Sequence, residues 1–413
     1  MIRRHFLSLV ASAPLASCAA NVPTPPPPAR DYRRGLPDHL RSLAARAADA
    51  RRRALDDLTT VESVHRRQTW ARSALWRLAG GAPDRTSLSV RTTGEIRHPD
   101  YRVEKLVYES RPGLHVPALL YLPISRSGPV PGVLFQAGHL PEGKGAPAYQ
   151  RACQALVKLG LGVLSFDPVG QGERRPHGST ALPDDEHDRI GQPLLLSGDT
   201  MAGLMLWDAV RSLDVLASRP EIDPHRLGAF GHSGGGTMTM FLSAVDDRLA
   251  AAALSCANTE NVAVADFDPP GAIDDAEQDL PGAALLGFDR WDTLYPLAPK
   301  PLLVLVSTKD PFSVYSPNYL VNGREELERL KHVYDSPGLP DTPSLGRIPC
   351  SPRHLPRPSR RGRALARPPS PRRKPALRRR DRPRPRAHRG DLGRARRRHR
   401  AGPRRPHTAR SGA

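Results

Sequence analysis

The sequence predicts an α/β domain with a mostly parallel central sheet, helices on both faces and a helical extension ahead of it. Two observations carry this. Short apolar runs alternate with helical segments over roughly 200 residues, the pattern of strands joined by crossover helices. Within that stretch an apolar strand, Leu227–Phe230, runs through Gly231-His232-Ser233-Gly234-Gly235 straight into a helical segment. A third feature, the formal charge of +20, at first suggests a nucleic-acid partner. Its distribution argues otherwise: the 68 residues from Gly346 onward carry a net +23, so the first 345 carry −3. No apolar run reaches the ~20 residues of a bilayer span. Four cysteines are too few for a disulfide scaffold.

Residues 1–18 read as an export signal, with Arg3 and Arg4 ahead of the apolar stretch Phe6 to Leu15 and small residues after it. Arg3-Arg4-His5-Phe6-Leu7 resembles a twin-arginine signal, and Leu15-Ala16-Ser17-Cys18 resembles a bacterial lipobox, whose cysteine is lipidated. A plain cleaved signal with a chance Cys18 is the alternative. Residues 19–35, with Pro23 and Pro25 to Pro28, form a stiff linker suited to holding a domain off a membrane. The expected location is therefore the cell envelope, as a periplasmic or surface lipoprotein, or the medium.

The main domain is expected over residues 36–345. His39 to Leu78 contains no Pro, is rich in Ala, Leu and Arg, and stops at Gly80-Gly81, so it reads as one or two helices. Tyr101–Tyr108 and Val116–Leu122 read as an antiparallel start. Strands follow at Gly132–Phe135, Leu161–Phe166, Leu227–Phe230, Ala250–Leu254 and Leu302–Val306. Helices are expected at Ala146–Leu159, Thr200–Ala217, Gly235–Val245 and Arg324–Tyr334. Cys153 and Cys256 read as buried thiols rather than a disulfide or a metal pair.

The chemistry centres on Ser233. A strand that turns into a helix within G-x-S-x-G strains the serine backbone and lifts Oγ clear of the sheet, while glycines on either side let strand and helix approach. The Gly234 N–H, at the helix N-terminus, is placed to donate to an oxyanion. A second donor is expected from Gln136-Ala137-Gly138-His139-Leu140, at the N–H of His139 or Leu140; the His139 side chain is given no part in proton transfer. Asp310, just past the Leu302–Val306 strand, stands where such an arrangement puts its acid, with Asp292 and Asp279 as weaker candidates. No metal site, cofactor or phosphate loop is apparent, because the histidines show no ligand spacing along the chain.

These residues resemble the α/β-hydrolase superfamily, and within it the acetylxylan esterase and cephalosporin-C deacetylase-like carbohydrate esterases. The resemblance runs from about Gln68 to about Tyr334. It rests on Arg111-Pro112-Gly113-Leu114-His115-Val116-Pro117-Ala118, the Gly138-His139 loop, Asp167-Pro168-Val169-Gly170-Gln171-Gly172-Glu173-Arg174, the Ser233 elbow, Asp275-Ala276-Glu277-Gln278 and the Asp310 strand end. It implies the α/β-hydrolase fold and a Ser–His–Asp triad of Ser233, Asp310 and a histidine past the last strand. It implies hydrolysis of short acyl esters, chiefly acetyl, on a carbohydrate or other small-molecule ester. It also places Gln171 and Arg174 on the substrate rim, or else leaves Glu173 and Arg174 bracing their loop by an ion pair. A peptidase or dienelactone-type hydrolase is the alternative on the same scaffold.

The departure from the family is the base. His332 falls within a helix, and His354 has the right distance from Asp310 but lies in an aberrant segment. Residues 346–413 contain 24 Arg and 12 Pro and no Phe, Trp, Tyr or Val, so they are expected to be disordered. A basic arm, a low-complexity extension and a shifted reading frame of GC-rich DNA compete to explain them. The arm lacks aromatics to stack on bases, so no nucleic-acid partner is expected. The frameshift reading fits best, because the onset falls where the last strand and the triad histidine should come. A surface binding protein lacking its triad histidine is the corresponding non-enzymatic alternative.

Overall fold

The computed structural model describes residues 34–124, 127–178, 183–257, 275–306 and 319–335. Cys18, Asp310 and His354 lie outside the described residues, as does the whole segment 346–413. Two helices open the described chain, α1 (Gly35–Asp56) and α2 (Val61–Leu78). They are separate because Thr60 starts a new helix: its hydroxyl accepts the Ser63 N–H while the Ser63 hydroxyl accepts the Thr60 N–H.

Eight strands then form one sheet: β1 (Arg91–Arg97), β2 (Tyr101–Arg111), β3 (Leu114–Pro123), β4 (Val130–Gln136), β5 (Gly162–Phe166), β6 (Ile222–His232), β7 (Leu249–Ser255) and β8 (Leu302–Leu305). The order is β1-β2-β3-β5-β4-β6-β7-β8. Pairings from β1 to β5 through β2 and β3 are antiparallel. The pairings β5–β4–β6–β7–β8 are parallel. The expected antiparallel start and parallel body are both present. β1 was not expected, since Arg91-Thr92-Thr93-Gly94-Glu95-Ile96-Arg97 is an almost wholly exposed edge with no apolar alternation.

The crossover helices are α3 (Pro147–Lys158), α4 (Pro183–Leu196), α5 (Met201–Ala217) and α6 (Gly234–Val245). After β7 come a short helix, α7 (Ala283–Leu286), a 3-10 segment (Arg290–Leu297) and, beyond β8, α8 (Tyr319–Tyr334). α4 was also unforeseen; it carries Pro193 in its interior, a residue that argues against a helix in sequence. One core lies between α5, α6 and the sheet, with Leu134, Leu164, Leu206, Leu213, Met240 and Phe241 fully buried. A second, under α3, packs Phe135, Tyr149, Cys153 and Val163. Burial pushes the Cys153 thiol up to about 12, as an inert core thiol requires. Cys256 is half-buried rather than buried.

The helical extension is tied down by charge. Arg51 of α1 and Arg67 of α2 are buried, and both reach the fully buried Asp292 in the 3-10 segment, at 3.1 and 2.7 Å. Arg51 also forms a two-pronged pair with Glu326 of α8, both bonds 2.9 Å long. Burial alone would raise the Asp292 carboxyl; the two guanidinium groups hold it below the usual range. Asp292 is thus a packing residue, and its weak candidacy as a catalytic acid falls. Among the described residues no helix is long and apolar enough to cross a membrane.

Candidate active site

β6 delivers Ser233 and α6 begins immediately after it. Ser233 has φ 55° and ψ −124°, a positive φ that costs a non-glycine residue ~1–3 kcal/mol. The turn is held by the Ser233 N–H donating to the Ser255 carbonyl and by Thr237 N–H donating to the Ser233 carbonyl. Flanking glycines are obligatory for contact rather than for flexibility. A Cβ on Gly231 would stand 2.0 Å from the Gly235 carbonyl oxygen, and one on Gly235 would stand 2.1 Å from that of Gln136. Strand β4, elbow and helix therefore touch backbone to backbone.

The loop after β4 lies over this elbow. A Cβ on Gly138 would meet the Ser233 Cβ at 2.8 Å and the Tyr149 hydroxyl at 2.8 Å. Leu140 N–H is spent within the loop, donating to the Gly138 carbonyl at 2.8 Å and the Gln171 Oε1 at 3.1 Å. Of the two backbone donors expected here, that of Leu140 is therefore already committed.

Gln171 and Arg174 take a different place from the substrate rim. Gln171 is 1% exposed and holds the loop after β4 through the Leu140 N–H. The Arg174 guanidinium donates to Asp208 at 2.6 Å and to the Asp167 carbonyl at 3.2 Å. Nor does Arg174 pair with Glu173, whose carboxylate accepts from Lys144 at 2.6 Å. Lys144 also reaches Asp167, at 2.6 Å. The 167–174 loop is thus a braced support, because two buried carboxylates, Asp167 and Asp208, each need a cation.

Beneath the elbow sits a cluster that the sequence did not assemble. His139, His187 of α4, Asp275 and Glu277 converge so closely that one ligand atom from each lies within 4.8 Å of all the others. His187 Nδ1 is 2.9 Å from Asp275 Oδ1, and His139 Nε2 is 3.1 Å from Asp275 Oδ2. A Cβ on Gly234 would meet Glu277 Oε1 at 2.3 Å and His139 Cε1 at 2.6 Å, so the cluster abuts the first residue of α6. Burial would raise the Asp275 carboxyl, but the two imidazoles hold it well below the usual range. Burial raises Glu277, with the neighbouring Asp275 charge acting in the same direction. Burial opposes protonation of His187, yet Asp275 and Glu277 leave its pKa above the ordinary value. The segment Asp275-Ala276-Glu277-Gln278 was a family signpost in sequence; pairing it with His187 needed the fold.

Comparison with known proteins now bears on this geometry. Residues 88–257 match the family model for acetyl xylan esterase (AXE1). A Bacillus subtilis (strain 168) protein named "Putative hydrolase YtaP" is 32% identical over 200 residues, 46% of this chain and 64% of its own. The chain thus spans just under two thirds of that relative. Two solved structures share the fold. A Bacteroides fragilis protein solved as a "putative acetyl xylan esterase" superposes with a TM-score of 0.54 at 17% identity, over 68% of this chain and 76% of its own. Methylesterase BT1017 superposes with a TM-score of 0.53 at 22% identity, over 71% and 61%.

Proposed function

Residues 88–257 match the acetyl xylan esterase family model, and from that premise we propose that the chain is an exported serine esterase that removes acetyl groups from a carbohydrate. The observation that carries the proposal is the backbone of Ser233, φ 55° and ψ −124°, between β6 and the first turn of α6. Nothing in the packing of a strand–helix turn requires a serine in so strained a state; a nucleophile that must stand clear of the sheet does.

In this reading Ser233 Oγ attacks the ester carbonyl carbon. Negative charge develops on the carbonyl oxygen and is met by the N–H groups of Gly234 and His139. A histidine takes the serine proton and gives it to the departing sugar hydroxyl, leaving an acetyl-serine. Water then repeats the sequence in reverse and releases acetate. Asp310 is the acid proposed to orient that histidine; His354 is the proposed base if residues 346–413 stand as written, whereas a shifted reading frame would leave the chain without a placed base and its turnover severely reduced. The names of the structural relatives speak of both acetyl and methyl esters, so the acyl and alcohol sides need separate substrates. Purified protein is expected to release acetate from acetylated xylo-oligosaccharides faster than methanol from methyl uronates. Methanol release that exceeds acetate release would reverse the assignment, and turnover of neither would favour a binding protein. Export through residues 1–18 with lipid on Cys18 is part of the proposal. Palmitate labelling lost in Cys18→Ala supports it, and unlabelled, wholly soluble wild type contradicts the anchor.

A further inference from the structure

The cluster beneath the elbow has the composition of a metal centre, and we infer that His139, His187, Asp275 and Glu277 bind one zinc-like divalent ion. Donor spacing is the first argument. Four ligands about 2.0–2.2 Å from a tetrahedral ion lie about 3.3 Å from one another. Taken through Asp275 Oδ2 and Glu277 Oε2, the cross-distances are 3.1 Å (His187 to Asp275), 3.1 Å (His139 to Asp275), 3.6 Å (His139 to Glu277) and 4.0 Å (His187 to Glu277). They bracket that value, and with all four ligand atoms within 4.8 Å of one another the set needs only to draw inward to complete the tetrahedron.

The outer contacts are the second argument. His187 Nε2 donates to the Val169 carbonyl at 2.8 Å, which fixes the tautomer and turns the Nδ1 lone pair toward the carboxylates. A ligating histidine is held in this way, by its other nitrogen on a backbone carbonyl. Asp275 Oδ1 accepts the Glu277 N–H at 2.8 Å, and Glu277 Oε1 accepts from the Gln278 amide at 3.2 Å. Each carboxylate is thereby pinned by one oxygen with the other turned inward.

Charge and donor chemistry supply the third. Asp275, Glu277 and His187 are each at most about 8% exposed, and two ionised carboxylates there need two positive charges. One divalent ion with two neutral imidazoles gives a neutral centre. Two nitrogen donors select zinc over calcium or magnesium, which take oxygen. Four protein ligands leave no open position, so the ion holds structure: it ties α4 and residues 275–277 to the loop whose Gly138 lies against Ser233. Nothing in this assignment depends on the esterase reading.

The test is metal content and spectroscopy on the full chain. Protein stripped with chelator and dialysed against zinc should retain one equivalent per chain and melt at a higher temperature. Cobalt should give the intense visible bands of a four-coordinate nitrogen–oxygen site. His187→Ala and the near-isosteric Asp275→Asn should weaken binding by more than about tenfold. Circular dichroism separates that loss from unfolding, and Glu173→Gln, on a neighbouring loop, should bind as wild type does. Wild type that retains no zinc after dialysis overturns the inference, as does binding that survives folded Asp275→Asn or His187→Ala. Binding that vanishes in Cys256→Ser instead would move the site elsewhere and overturn it equally.

Discussion

Two of the buried carboxylate clusters in this domain are neutralised in different ways. At Asp292 the partners are guanidinium groups, Arg51 and Arg67, with Arg51 extending to Glu326. Arginine is charged at every accessible pH and fits carboxylates two-pronged, so this cluster fastens helices α1, α2 and α8 permanently. At Asp275 and Glu277 the partners are the imidazoles of His139 and His187. Imidazole is neutral near physiological pH unless something holds a proton on it, and as a neutral group it is a ligand. The first cluster lies among packing helices, whereas the second abuts Gly234 at the start of α6. The contrast separates charge that fastens the outer helices from charge packed against the elbow.

The contrast breaks most visibly at Asp292. Asp292→Ala strands two buried guanidinium groups and should cost ~3–5 kcal/mol, read as a lowered urea midpoint with little change in the kcat of whatever remains folded. Asp275→Asn should cost less stability than that and show its larger effect in the rate. It leaves the helices fastened but loosens the His139 loop, and kcat on p-nitrophenyl acetate should fall by up to ~10²-fold, the scale of losing a well-placed oxyanion donor. Equal losses of stability in the two variants would erase the distinction. Arg51→Lys should cost an intermediate ~1–2 kcal/mol, because an ammonium cannot hold Asp292 and both oxygens of Glu326 together.

Acid pH sharpens the comparison further, with the smallest effect. The folded-state pKa of Asp292 is depressed, so its contribution is fully present above the unfolded carboxyl value near 3.8 and is lost as pH falls below it. Urea midpoints measured from neutral to acid pH should therefore fall on the acid side in wild type and fall less in Asp292→Asn. A variant as acid-labile as wild type would show that other carboxylates carry the transition.

What the sequence made legible was local. The elbow could be read because strand, turn and helix are contiguous, and because Gly231 and Gly235 stand where backbone contact forbids a side chain. The parallel strands β4 to β8 could be read from apolar runs, which burial on both faces produces. Edge strand β1 could not, since it is exposed along almost its whole length and its one large apolar residue, Ile96, makes no alternation. Arg51 and Arg67 could not either: on a helix an arginine reads as solvent-facing, and only a carboxylate 241 or 225 residues away draws it inward. The same holds for His187 and Asp275, 88 residues apart. Gln171 and Arg174 were recognised as distinctive residues but placed on the rim, because sequence similarity marks a loop without saying which way its side chains point.

The central claim is that Ser233 is an activated nucleophile, and covalent labelling tests it with the fewest intermediaries. A fluorophosphonate probe added to the purified chain, followed by peptide mapping, should place one adduct on Ser233 and none in Ser233→Ala. Wild type that stays unlabelled, or labelling that persists in Ser233→Ala, would contradict the account.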